Sequence, residues 1–336
     1  MRRPLALAVA VLALTGVLTA CAPAAEPEAD PTPRASVAPT PQPTPTAEAR
    51  VVAPGEKPPA VFDGDCNRAL APADLQSVVG ASLPLATSAS DGDVGNIGGL
   101  ACSWEAGGAA VRVEILPRPG LGDTQFPQDQ AQYYFQDCDA QWVCSGEAED
   151  ADLWIGASFQ SFAEADRDQI DDWTAAIAAL IVRNFAGDAD PWVRDRTGWW
   201  DELDCAAVAG ALSRELNTEF SGERGGFIDP PLPGIVLATA ASNWSNCYLY
   251  DGAHTFEVYS SAGAAWTLPD DGDQPVETGV QGISAWLSSS YQSTTSAGYT
   301  MTDGINSLTA YVATDASWTA EEAVGALARA ASSDWK

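Results

Sequence analysis

Ala101-Cys-Ser-Trp-Glu-Ala-Gly-Gly-Ala-Ala-Val-Arg-Val-Glu-Ile115 is the stretch on which the reading of this chain turns. A cysteine and a tryptophan stand two apart, small residues make a turn at Ala106–Ala109, and apolar and polar residues then alternate. A period of two marks a half-buried strand, so the stretch reads as a β-hairpin. Val111, Val113 and Ile115 are expected on one face, with Arg112 and Glu114 on the other.

The hairpin has a second copy. GDCNRALAPADLQSVVG precedes the first, and LDCAAVAGALSREL precedes NCYLYDGAHTFEVYS further on. In both copies an Asp-Cys opens a helical pattern, a variable stretch follows, and a second cysteine opens a hairpin strand. In the second hairpin, Phe256 and Val258 share a side opposite Thr255 and Glu257, and Asp251-Gly252 is the expected two-residue turn. Both copies also end alike. Asp152–Ile155 and Ser307–Val312 read as strands leading to helices around 167–184 and 320–331. Ile170, Trp173, Ile177, Leu180 and Ile181 form the apolar stripe of the first, and Val324, Leu327 and Ala328 that of the second. Thr319 with Glu322 spells a capping box, and Pro72 with Gly80 brackets a helix. Each copy is therefore helix, antiparallel strands, helix. The expected architecture is α+β: two tandem related domains, 62–187 and 201–336, each an antiparallel sheet with helices packed on one face. The connector 188–200 carries Trp192, Trp199 and Trp200, read as packing the domains together.

The N-terminus points to an extracytoplasmic protein. Arg2 and Arg3 precede an apolar run, Leu5–Leu18, too short to span a bilayer and read as part of a signal peptide, 1–20. Leu18-Thr19-Ala20-Cys21 resembles the lipobox of bacterial lipoproteins, which implies lipid on the Cys21 thiol and attachment to the outer face of the plasma membrane. Residues 21–61 read as a disordered linker, with eleven prolines between 22 and 61, and an extended reach on the order of 120 Å.

Seven cysteines occur; setting Cys21 aside leaves six, an even number for an oxidising compartment. Six allow fifteen connectivities, but the repeat selects among them. Cys66 should pair with Cys102, Cys205 with Cys247, and Cys138 with Cys144. Each of the two long bridges would staple the first helix to a hairpin strand and restrict the unfolded chain by roughly 4 kcal/mol.

Composition excludes several classes. Without the signal peptide the chain carries 14 basic and 46 acidic residues, a net −32. That disfavours nucleic acid and anionic lipid head groups as partners. No P-loop or dinucleotide fingerprint occurs, and no cofactor is expected. With one histidine, His254, and no Cys-x-x-Cys, no metal site is expected; His254 reads as a strand surface residue. Asp91–Asn96 and Asp270–Asp273 look faintly like calcium loops but lack the closing glutamate, and read as solvated loops. The nearest approach to a nucleophile elbow, Gly282-Ile283-Ser284-Ala285-Trp286, lacks its last glycine. Trp104, Trp142, Trp154, Trp173, Trp244, Trp266, Trp286 and Trp318 are read mostly as core, with some available to line a cleft.

Lipobox, Pro/Thr linker, a cysteine opening a helix and the later Cys102-Ser103-Trp104 strand together resemble actinobacterial cell-envelope lipoproteins of an uncharacterised family. That family's domain is similar in plan to the extracellular sensor domains of mycobacterial receptor kinases. The resemblance implies an α+β fold and surface anchoring, and it brings no activity or functional residues. Asp65 and Asp204 stand where such proteins often have proline before the first cysteine, and the second copy has Tyr248-Leu249 in place of Ser103-Trp104. The expected function is a non-enzymatic, sensor-like or binding module for a small apolar or glycan ligand or an envelope protein partner. The alternatives are a carboxylate-based glycosidase and a structural or regulatory partner of another envelope protein. Non-reducing peptide mapping should recover the pairs 66–102, 138–144 and 205–247; a bridge between the copies, such as 102–205, would contradict the repeat.

Overall fold

The computed structural model describes residues 49–135, 144–162, 165–185, 192–226, 232–293, 295–316 and 318–334. Cys21 and Cys138 lie outside the described residues. A short strand, β1 (Arg50–Val52), comes first. The first half then runs α1 (Cys66–Ala69), α2 (Pro72–Val79), β2 (Leu85–Ala89), α3 (Gly92–Asn96), β3 (Leu100–Ala106), β4 (Ala109–Pro117), α4 (Arg118–Leu121), α5 (Gln128–Phe135), β5 (Cys144–Glu149), β6 (Leu153–Gln160) and α6 (Arg167–Phe185). After β7 (Trp192–Arg194) the second half runs α7 (Cys205–Leu216), β8 (Ser221–Arg224), α8 (Pro233–Ala241), β9 (Ser245–Tyr250), β10 (Thr255–Ser261), β11 (Gln274–Val276), β12 (Ser284–Gln292), β13 (Ser296–Thr302), β14 (Ser307–Ala313) and α9 (Ala320–Asp334).

The fold is α+β, and the repeat is written into its strand order. The first sheet is β2-β3-β4-β6-β5, and the second is β8-β9-β10-β14-β13, continued by β12-β11. Every pairing within these two sheets is antiparallel. The registers superpose residue for residue. Cys102 faces Val113, which faces Ala157, which faces Gly146. In the second half Cys247 faces Val258, Ala310 and Tyr299 in the same succession. The extra hairpin β11–β12 stands where the first half has α4 and α5.

Both long disulfides form as the repeat requires. Cys66 bonds Cys102 and Cys205 bonds Cys247, with Cα atoms 5.7 and 5.3 Å apart. Each first cysteine opens its helix directly after an aspartate whose side chain accepts backbone N–H bonds of the first turn, from Asn67 in one copy and from Ala206 and Ala207 in the other. Cys144 is disulfide-bonded as well. The copies differ at Pro72. It holds Ala71 in an extended conformation and splits the helix into α1 and α2, whereas α7 runs unbroken.

The helix-facing side of each sheet is the main core. Val111, Val113 and Ile115 pack with Trp104, Phe159 and the α6 stripe Ile170, Ile177 and Ile181. Phe256 and Val258 pack with Leu308, Ala310, Val312 and the α9 residues Val324 and Leu327. The capping box of α9 is made, with Thr319 N donating to Glu322 Oε2 at 2.7 Å and Glu322 N to Thr319 Oγ1 at 3.2 Å.

Three expectations need correction. The turn of the second hairpin is a four-residue loop, not two residues: Asp251 and His254 bond backbone to backbone, and the Asp251 carboxylate accepts from Ala253 N and His254 N. The linker ends before residue 61, because β1 pairs in parallel with β7 and buries Val52 completely. Glu114 lies on the outward face, as its alternation demands, yet it is fully buried.

Glu114 is buried because α8 of the second half covers the outer face of the first sheet. Its sequence, PGIVLATAA, is apolar all round, and a helix of that kind belongs in an interior. Leu237, Ala238 and Ala241 pack on Leu116 and Trp154 of the sheet, on Val94 and Ile97 around α3, and on Leu121 of α4. Gly234 permits the approach: a Cβ there would stand 2.2 Å from the Cβ of Glu114. Residues 47–336 form one compact unit. The connector ties both sides. The Arg196 guanidinium donates to the carbonyls of Gly120 and Leu121, and the Asn306 side chain joins Gly198 O, Trp200 N and Gly263 N. Trp192 and Trp200 are buried, as read from the sequence.

Neither Glu114 oxygen makes a well-formed hydrogen bond. Burial pushes its carboxyl up to about 8, offset only in part by the Gly234 amide at the start of α8 and by Arg112. A raised acid holds its proton in the folded state and releases it on unfolding. Its stabilising contribution is therefore complete below about 4.5 and is lost as pH rises toward about 8. The melting temperature should fall across that window, and Glu114→Gln should flatten the fall; an unchanged slope would contradict the assignment. Gly234→Ala should destabilise by about 1–3 kcal/mol in thermal unfolding, since the helix must lift from β4.

Candidate functional site

By the repeat, the outer face of the second sheet should be covered by the counterpart of α8. That counterpart is α3, which falls between the first short strand and the hairpin as α8 does. The two helices pack on each other, and Asn96 of α3 reaches Ser242 just beyond α8. However, α3 has only five residues, against nine in α8. It covers one end of the second sheet's outer face and leaves the rest open. The opening is a groove of about 1020 Å³. Two other cavities, of about 360 Å³ each, are much smaller.

Aromatic rings form the wall of the groove. Trp244, Tyr259, Tyr311 and Tyr291 follow one another at centroid spacings of 6.1, 5.7 and 5.4 Å. Tyr259 and Tyr311 stand at outward positions of β10 and β14, alternating with the core residues Val258, Ala310 and Val312. Tyr291 is brought over β13 by an irregularity of β12 between Leu287 and Gln292, and it lies where a side chain on Gly298 would stand, 2.4 Å from its Cβ. Trp266 closes the near end. Its indole N–H donates to Asn96 Oδ1 at 3.1 Å, while Asn96 Nδ2 donates to Ala262 O at 2.8 Å and Ser242 Oγ at 3.2 Å. Lys57, expected in the linker, sits with its ammonium 4.7 Å from the Trp266 ring centre.

The floor of the groove carries hydroxyls. Ser261, Ser307, Thr309 and Thr300 line it. Thr300 is 3 % exposed and its Oγ1 has no hydrogen-bond partner; Ser261 Oγ has none either. The registers explain the orphan. Thr300 and Ser307 occupy the positions of Glu147 and Trp154 in the first sheet, where the indole N–H donates to the carboxylate at 3.0 Å. With two short side chains in place of that pair, Thr300 Oγ1 makes no hydrogen bond.

Carboxylates form the rim. Asp91 and Asp93 come from the start of α3, and Asp270 and Asp271 from the loop after Trp266. Burial pushes the Asp93 carboxyl up to about 6, so it ionises within the mildly acidic range. Among the described residues no Lys, Arg or His lines the groove directly, and Lys57 reaches it through the Trp266 ring.

The residues singled out from the sequence are thus distributed unevenly. The two aspartate loops, read as solvated, meet at the groove. Among the described residues no group of three or more His, Cys, Asp and Glu is placed to hold a metal ion. Trp244 and Trp266 line the groove, whereas Trp104, Trp154 and Trp318 are core. Trp142 lies outside the described residues. His254 stands in the hairpin loop, its Nδ1 2.9 Å from Asp251 Oδ2, and that bond raises its pKa. Ser284 opens β12 on the surface. Tyr259, Tyr291, Tyr311 and Thr300 were not foreseen. The signal existed for two of them: Tyr259 and Tyr311 are large aromatics on the strand faces opposite the apolar residues. Among the described residues no helix is long and apolar enough to cross a membrane. Comparisons with protein families, curated proteins and solved structures find no match.

Asn96, 1 % exposed, joins the halves and fixes Trp266 at once. Asn96→Ala removes three hydrogen bonds and strands buried groups, and should cost about 1–3 kcal/mol in denaturant unfolding. The same variant should shift the Trp266 contribution to the fluorescence spectrum.

Proposed function

We propose that this chain is a non-enzymatic, lipid-anchored extracytoplasmic binding module whose ligand occupies the groove over the second sheet. One observation carries the reading. A sheet face that its repeat partner buries under a helix is left open here, and it is furnished with aromatic rings and an unpartnered, buried Thr300 hydroxyl. The buried Thr300 hydroxyl has no protein partner, and a ligand in the groove would supply one. The signal-like N-terminus, Cys21 and the proline-rich segment support the placement outside the membrane. The first half then serves as the scaffold that contributes α3 and the Asp91–Asp93 rim.

A second reading, glycoside hydrolysis, is favoured by Asp93, whose raised carboxyl stands beside other carboxylates in the same groove. Native mass spectrometry of the full chain purified from its membrane, with extraction of bound lipid and glycan, tests the first reading. A stoichiometric adduct lost in Tyr311→Ala is the expected result. An adduct-free chain that releases sugar from envelope polysaccharide, and stops doing so in Asp93→Asn, would favour the hydrolase.

A further inference from the structure

The two outer faces can be compared position by position, because the strand registers coincide. Where α8 rests on the first sheet it meets Leu116 and Trp154, which face each other, with Gly156 two residues along β6 from Trp154. At the same positions the second sheet has Ser261, Ser307 and Thr309. Thr300 replaces Glu147 in the same way. The surface that takes an apolar helix in one half has been rebuilt with hydroxyls in the other, so an apolar helix or a lipid tail is the wrong occupant. A purely hydroxylated face would bind water as readily as a ligand, but here aromatic rings run across it in series. The rim adds four carboxylates, and the Lys57 ammonium stands over the Trp266 ring at the near end.

From this comparison we infer that the groove takes a neutral oligosaccharide, more than one sugar ring long. The inference rests on the binding role proposed above and names its ligand class. Sugar C–H faces stack on Trp and Tyr, whose rings present a partly negative surface. Sugar hydroxyls both donate and accept: Thr300 and Ser261 can offer and receive a proton, and Asp91, Asp93, Asp270 and Asp271 accept. With four carboxylates against the Lys57 ammonium over Trp266, the described lining is net acidic, which disfavours phosphorylated, sulfated and uronic-acid sugars, whose recognition needs Lys or Arg. A quaternary ammonium ligand would use the rings and carboxylates but would leave Thr300 unpartnered.

Binding of the full chain to an array of neutral, acidic and amine-bearing oligosaccharides, with phosphatidylcholine vesicles alongside, tests this. The expected result is retention of neutral oligosaccharides, weakened about tenfold in Thr300→Val and in Tyr311→Ala. Thr300→Val keeps the side-chain shape, so its melting temperature serves as the check on folding. Acidic or amine-bearing sugars, or vesicles, bound in a Tyr311-dependent way would overturn the ligand class and leave the groove as a binding site. Neutral sugars bound equally by both variants would overturn the site. No Tyr311-dependent binding to any probe, together with an adduct-free native mass, would overturn the binding role itself. Cleavage of the retained sugar would keep the class and overturn the non-enzymatic reading.

Discussion

The structure depends on how a sheet with two apolar faces is covered. In the first half the helix-facing side is filled by α6 and its neighbours, but the outer side still presents Leu116 and Trp154. Leaving that side in water would forgo stabilisation of about 1.5–3 kcal/mol for each large side chain. The second half supplies α8, whose apolar sequence could not stand as an exposed helix. Each half thus carries a surface that only the other can cover, and the pair behaves as one body. Gly234 sets the closeness of that contact, and Glu114 bears its electrostatic cost as a carboxyl driven to hold its proton.

The same exchange, run in the opposite direction, is incomplete. α3 is too short to do for the second sheet what α8 does for the first. The repeat thereby presents two equivalent faces that are covered differently. One is sealed by a helix; the other is an open groove with Ser261, Ser307 and Thr309 at the positions of Leu116, Trp154 and Gly156. Asn96 sits where the two halves meet. Its amide bridges the halves on one side and holds the Trp266 indole on the other, so the alignment of the groove's near end is coupled to the packing of the halves.

The acidity of the chain takes on local meaning at this groove. Most of the carboxylates among the described residues are exposed. Asp91 and Asp93 come together with Asp270 and Asp271 only because α3 and the loop after Trp266 converge on the same opening. They lie far apart in the chain and were legible from the sequence only as two separate polar loops.

Much of the fold could be read from the sequence because it is set by local rules. Alternation in Val111–Ile115 and Phe256–Val258 assigned strands and their core faces, and the Asp-Cys helix starts and the Thr319–Glu322 box follow from capping chemistry. The repeated spacing of cysteines identified Cys66–Cys102 and Cys205–Cys247. What alternation cannot say is what lies against the other face. Glu114 and Tyr259 stand at equivalent outward positions and look alike to a period-two pattern. Whether such a position meets solvent, a helix or a ligand depends on elements more than a hundred residues away, such as α8 against β4. The sequence by itself therefore determined the elements, the bridges and the inward faces. Only the tertiary structure decided which outward face is sealed and which is a groove, because that choice is made by contacts between the halves, and such contacts leave no period in the chain.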